Sequence, residues 1–264
     1  MSKDSTTARH AIYFSPERGS LLGSLGAAWL GRDCVTGAKT ARPGLVGISP
    51  SRAAEITASA GHYGFHATLK PPFVLAEGRT RAELDRELAR FAERRAPITG
   101  LGLQVGVLGG FLALLLTEYS GVVHALAASC VREFDSFRVA PSKEELCRRR
   151  SGRLSAREDA LLRRWGYPYV MESFRFHMTL TSRLQEEERN RLLPVLQQMF
   201  GPAIELGFTI DAVSLFYQES RDEPFHLVRR YPFSGSARSA ATKEDTERSS
   251  GPSLTIVKTS LPST

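Results

Sequence analysis

The stretch Phe174-Arg175-Phe176-His177-Met178-Thr179-Leu180-Thr181 decides how this chain is read, because apolar and polar residues alternate along it without a break. Successive side chains of an extended chain point to opposite faces. Phe174, Phe176, Met178 and Leu180 therefore share a side that can pack on a core. Arg175, His177, Thr179 and Thr181 share the other, about 7 Å apart along the strand. The pattern recurs 111 positions upstream in Tyr63-Gly64-Phe65-His66-Ala67-Thr68-Leu69-Lys70. There Phe65, Ala67 and Leu69 form the apolar side, and Gly64, His66, Thr68 and Lys70 the polar one. Two His-x-Thr strands, each with a cation two residues to one side, make an internal repeat.

Outward from these strands the chain repeats an order of elements. His10–Phe14 reads as a strand, Ser20–Leu30 as a helix, 31–50 as a loop and Ser49 to about Ala60 as a helix with Pro50 in its first turn. The first signature strand is closed by Pro71-Pro72. Arg79–Arg95 is amphipathic through Leu84, Leu88 and Phe91, and Gly109-Gly110 joins two strands over 98–107 and 111–117. In the second half a helix over 122–137 is followed by helical stretches at 142–150 and 155–165. The latter opens on the capping-box match Ser155-x-x-Glu158. After the second signature strand come a helix over 186–200 and a strand pair at 208–217 and 224–233. This is an α+β arrangement of mostly antiparallel sheets, made twice. Residues 1–9 are expected to fray and 234–264, rich in Ser, Thr, Gly and Ala, to be disordered. That leaves 10–233 as one domain of two lobes, roughly 10–117 and 118–233.

The 264 residues are 42% hydrophobic and 24% charged, an ordinary globular balance. A net charge of +7 suits an anionic ligand such as a small phosphorylated substrate. No arginine-rich stripe interleaved with aromatics of the kind that tracks single strands is seen, so RNA is the less favoured partner. Cys34, Cys130 and Cys147 form no Cys-x-x-Cys pair, and no secretory or membrane-spanning apolar run occurs. A cytoplasmic monomer without membrane association is the expectation.

Two imidazoles facing one cleft suit acid–base work near neutral pH, one taking a proton while the other gives one. Thr68 and Thr179 lie on the same faces, positioned to donate to phosphoryl oxygens, and Lys70 and Arg175 would add positive charge. That set fits in-line opening of a phosphodiester, best a cyclic one, with no metal or other cofactor. A zinc reading through His62, His66 and His177 lacks Asp, Glu or Cys support. His10 and His226 read as structural, and His124 as an exposed helix residue. Lys143 and Arg148-Arg149-Arg150 read as solvated charge, while Tyr217 and Tyr231 stay open as cleft residues.

The paired tetrads His66-Ala67-Thr68-Leu69 and His177-Met178-Thr179-Leu180 resemble the signature of the 2H phosphoesterase superfamily. The resemblance covers about residues 10–233. It implies a bilobal, pseudo-twofold α+β fold with two mostly antiparallel sheets flanking a central cleft and helices outside. It also implies a metal-independent cyclic phosphodiesterase, a phosphoric diester hydrolase. The longer runs over 63–70 and 174–181, with Arg164-Trp-Gly-Tyr-Pro-Tyr-Val170, are similar to the 2H proteins encoded beside bacterial carbon–phosphorus lyase genes. That likeness implies phosphonate metabolism and a cyclic phosphate of ribose as substrate. His66, Thr68, His177 and Thr179 are the expected catalytic set, with Lys70, Arg175, Tyr63 and Thr181 binding substrate. An RNA-end 2′,3′-cyclic phosphodiesterase or ligase, or a phosphate-binding module without turnover, are the alternatives.

Overall fold

The computed structural model of the chain describes residues 8–150 and 154–236. Seven α-helices and nine strands occur among them: β1 (Arg9–Phe14), α1 (Leu21–Leu30), α2 (Pro50–Tyr63), β2 (Ala67–Phe73), α3 (Arg81–Glu93), β3 (Ile98–Leu101), β4 (Leu103–Leu108) and β5 (Phe111–Leu116), then α4 (Gly121–Glu133), α5 (Lys143–Arg150), α6 (Ala156–Trp165), β6 (His177–Thr179), α7 (Glu186–Glu205), β7 (Phe208–Ile210), β8 (Ala212–Gln218) and β9 (His226–Pro232). The helix starts follow local chemistry. Ser20, Ser49, Thr80, Ser120 and Ser155 each accept the amide three residues on, and Thr80/Glu83 and Ser155/Glu158 are complete capping boxes.

The α+β class holds, but the sheets are not arranged as two flanking layers. Seven strands form a single antiparallel sheet in the order β4-β5-β6-β2-β1-β8-β9, and β3 with β7 form a separate pair. The cause is an exchange. The hairpin β4–β5 of the first half pairs with β6 of the second, and β8 of the second half pairs with β1 of the first. The two signature strands meet in the middle, with Ala67 opposite Met178.

One face of the sheet carries the main core. Ile12, Phe14, Ala67, Leu69, Leu112, Leu114, Met178, Val213 and Leu215 pack there against Trp29 of α1, Leu84 and Leu88 of α3, Val123 of α4 and Leu196 of α7. Gly26 of α1 lies against the Phe65 ring, where a Cβ would collide with it. The Trp29 indole N–H donates to the Leu180 carbonyl at 2.8 Å and so fastens the end of β6. Beyond Phe233 the chain stays attached for two residues, the amides of Ser234 and Gly235 donating to Ala92 and Arg95. At the other end Arg9, expected to fray, opens β1 instead; residues 1–7 and 237–264 lie outside the described residues.

Candidate functional site

The opposite face of the central strands holds the candidate site. Ala67 and Met178 are fully buried on the core side, so His66 and Thr68 on β2's side, and His177 and Thr179 on β6, turn the other way. Carrying the Ala67–Met178 pairing one step in each direction sets His66 across from Thr179, and Thr68 across from His177. The histidines occupy the diagonal of this square, where cross-strand neighbours stand about 7–8 Å apart.

Each imidazole is held by the same device. His66 Nδ1 lies 2.8 Å from the Gly64 carbonyl, and His177 Nδ1 lies 2.8 Å from the Arg175 carbonyl. A carbonyl only accepts, so Nδ1 carries the proton and Nε2 of the neutral ring is a free base. The Thr68 hydroxyl stands 3.3 Å from His66 Nε2 and can donate to it. Gly64 is needed for this geometry: its φ is +83°, and a Cβ would come within 2.6 Å of the Cys34 Cβ.

Burial holds His66 far below the usual histidine range, at about 4, and the nearby His177 pushes the same way against the Gly64 hydrogen bond. Burial also lowers His177, opposed by its bond to Arg175. Both shifts favour the neutral rings at pH 7. A bound phosphate dianion reverses the sign of the local field and raises both.

Of the expected binding residues, Tyr63 and Arg175 lie at the cleft, whereas Lys70 and Thr181 do not. Tyr63 is the last residue of α2 rather than part of a strand. Its ring stacks on Phe225 at 5.2 Å and tilts toward His66 at 6.2 Å. Arg175 is exposed, and its carbonyl rather than its guanidinium makes the structural contact. Lys70 is 1% exposed. Its ammonium donates to the Val131 carbonyl at 3.1 Å and pairs with Asp135 at 3.5 Å. The cause is a bulge: Tyr13 faces Thr68, but the next residue back, Ile12, faces Lys70, so Leu69 is the extra residue. Side chains beyond such an insertion change faces, and Lys70 joins Ile12 on the core side. Thr181 is also 1% exposed, because β6 ends at Thr179 and the chain bends. Its hydroxyl accepts the Leu112 amide at 3.0 Å.

Several site residues carried no motif. The Tyr13 ring stacks on His66 at 3.8 Å and sits with Phe216 and Phe225 in a small aromatic cluster behind it. Arg9 shares the cleft face of β1 with Tyr13. A strand begun at Arg9 rather than His10 would have placed Arg9 on the same face as Tyr13, since odd positions of β1 face the cleft. Tyr167 lies near Tyr63, and the Arg149 guanidinium covers its ring at 5.1 Å. No group of His, Cys, Asp and Glu that could hold a metal ion occurs among the described residues. A cavity of about 480 Å³, lined by Ser15, Arg18, Asp33, Cys34, Phe65 and Arg230 among others, contains neither histidine.

A family model described as "Protein of unknown function (DUF1045)" matches residues 68–226, more than half the chain. Two curated proteins, both named "Ribose 1,5-bisphosphate phosphokinase PhnN", are similar. The one from Janthinobacterium sp. (strain Marseille) is 36% identical over 91% of this chain and 54% of its own length. The one from Laribacter hongkongensis (strain HLHK9) is 38% identical over 84% of this chain and 51% of its own. The chain thus spans about half the length of these relatives.

Their names correct the expected activity. A phosphokinase transfers a phosphoryl group, so the cyclic phosphodiesterase and the assignment to the phosphoric diester hydrolases are overturned. The RNA-end enzyme and the module without turnover fit the names no better. This sequence has no Gly-Lys pair, and hence no Gly-x-x-x-x-Gly-Lys-Ser/Thr loop to cradle nucleotide phosphates. Among the described residues no helix is long and apolar enough to cross a membrane.

Proposed function

The chain belongs to the DUF1045 family, and we propose that its two-histidine cleft binds a phosphorylated ribose and carries the proton movements of a phosphoryl-transfer step on it. The observation that supports this most is the duplicated device at the imidazoles, Nδ1 donating to the carbonyl two residues back in both strands. Binding alone needs no second fixed tautomer. Proton transfer does, because one Nε2 must accept while the other, once protonated, donates. In this reading a neutral Nε2 takes the proton from the ribose hydroxyl as its oxygen bonds the γ-phosphorus of ATP and the bond to the departing ADP breaks, and the imidazolium then gives that proton to solvent. Thr68 and Thr179 donate to phosphoryl oxygens, and Arg175 adds charge at the rim. The names of the relatives supply the ribose phosphate and the reaction class. The likeness to the 2H superfamily, a place in phosphonate metabolism and a cytoplasmic setting belong to the same reading.

Phosphorus NMR tests it. Ribose 5-phosphate and ribose 1,5-bisphosphate are titrated into wild type, His66→Ala and His177→Ala, and phosphoryl transfer is then followed with ATP as donor. Loss of one acid–base partner should slow transfer by about 10²–10⁴-fold. Variants that bind and turn over as wild type does, or a wild type that shifts neither phosphorus signal, would sink the reading.

A further inference from the structure

Arg9 is a fixed cation with no anionic partner among the described residues. Its Nε donates to Gln218 Oε1 at 2.7 Å, and its guanidinium lies 5.3 Å from the centre of the Phe225 ring. Gln218 is itself locked, its amide nitrogen reaching the Glu223 carbonyl at 2.6 Å, the Arg221 carbonyl at 3.3 Å and His62 Nε2 at 3.0 Å. Among the described residues no carboxylate lies within ion-pair reach of Arg9. The charged neighbour that acts on it most strongly is Arg221, a like charge. Burial and Arg221 depress its basicity, and the Tyr63 and Tyr13 phenols oppose them. A half-buried, preorganised guanidinium flanked by a second cation carries a desolvation cost that no protein carboxylate among the described residues offsets. It is well matched to a bidentate anion.

The position gives the anion its meaning. The Phe225 ring beneath Arg9 also carries Tyr63 at 5.2 Å and Tyr13 at 6.3 Å, and these two rings are the ones that border His66, at 6.2 and 3.8 Å. Arg9 therefore sits at the end of the same cleft, one aromatic layer away from the imidazole. Resting on the reading of the histidine pair given above, we propose that Arg9, with the Tyr63 hydroxyl and Arg221 beside it, is a second phosphate subsite, so that the cleft takes a small sugar bearing two phosphate groups. One phosphate lies between His66 and His177 and the other at Arg9, with the partly exposed Tyr63 ring along the sugar between them.

Isothermal titration calorimetry with ribose 1,5-bisphosphate and ribose 5-phosphate, on wild type, Arg9→Gln, Arg221→Gln and His177→Ala, tests the proposal. Wild type should prefer the bisphosphate. Arg9→Gln should weaken it by about 10- to 100-fold, the effect of losing a hydrogen bond to a charged group, and leave the monophosphate within about 3-fold, which removes the preference. Arg221 is exposed, so Arg221→Gln folds whatever becomes of Arg9→Gln, and should weaken the bisphosphate selectively by a few-fold. Equal losses for both ligands in Arg9→Gln, or an undiminished preference in both arginine variants, would overturn the subsite, as would a wild type that binds neither ligand. If His177→Ala binds both ligands like wild type while Arg9→Gln loses its preference, the histidine reading fails and the arginine subsite stands.

Discussion

Replacing Gly26 by alanine sets two effects of known size against each other. A helix interior gains about 1 kcal/mol when Gly becomes Ala. At Gly26, however, the new Cβ would fall inside 3.0 Å of three atoms of the Phe65 ring, where ordinary contacts lie at 3.4–4 Å. Phe65 cannot retreat freely, since its ring also stacks on Phe200 at 6.2 Å and its carbonyl accepts the Ser15 hydroxyl at 3.2 Å. Overpacking of this kind costs about 1–3 kcal/mol. The clash wins, and the expected net loss is about 1 kcal/mol, or about 2–4 °C in Tm for a domain of this size. Because Phe65 directly precedes His66, the loss should be accompanied by a shift of the His66 ring resonances. Urea unfolding followed by circular dichroism measures the stability of wild type, Gly26→Ala, Phe65→Leu and the double variant. With the ring shortened to leucine, Gly26→Ala should turn neutral or stabilising. If Gly26→Ala stabilises the wild-type background, or costs the same in both backgrounds, the packing argument is wrong.

Three further outcomes follow from buried polar groups. His10 is 4% exposed, has no hydrogen-bond partner for either ring nitrogen, and is held at about 4 by burial and Arg81. Its folded pKa lies below its unfolded one, so its contribution is whole above pH 6.5 and is lost as pH falls to 4. About 3 kcal/mol should go over that window. His10→Phe should flatten the pH dependence of the urea midpoint, and an unchanged slope would refute it. Lys70→Met should leave ribose-phosphate affinity unchanged and cost only about 1 kcal/mol of stability, because Asp135 is partly exposed and keeps its bond to Arg138; a tenfold loss of affinity in calorimetry would return Lys70 to the cleft. Thr181→Val should cost about 1–3 kcal/mol by stranding the Leu112 amide. Its calorimetric affinity should match wild type, whereas Thr68→Val should bind more weakly.

Much of this was readable from alternation. The glycine hairpin, the capped helices and the turning of both His-x-Thr pairs to one face needed only periodicity and end signals. What alternation could not supply was its own interruption. The bulge at Leu69 carries Lys70 through the sheet, and the bend after Thr179 turns Thr181 inward; neither leaves a mark in residue types. The single sheet was hidden for a related reason. A repeat read along the chain suggests two self-contained units, whereas strand partners are chosen by packing across the whole molecule. Arg9 was missed because one residue separates a frayed end from a strand, and Tyr13, inside the expected strand, because no motif marks it. Chemistry was the least readable: paired histidines name the class of proton movement but not the group transferred.

The place of β1 between β2 and β8 also bears on how the protein is made. One edge of β1 is covered when β2 emerges, but the other waits for β8, whose first residue is Ala212. At translation rates of 5–20 residues per second the interval is roughly 10–30 s. Through that time the run from Ala11 to Phe14 presents a free apolar edge, which is what holding chaperones recognise. A ribosome that stalls before β8 would release a five-stranded sheet, β4-β5-β6-β2-β1, that ends on β1 as a bare apolar edge.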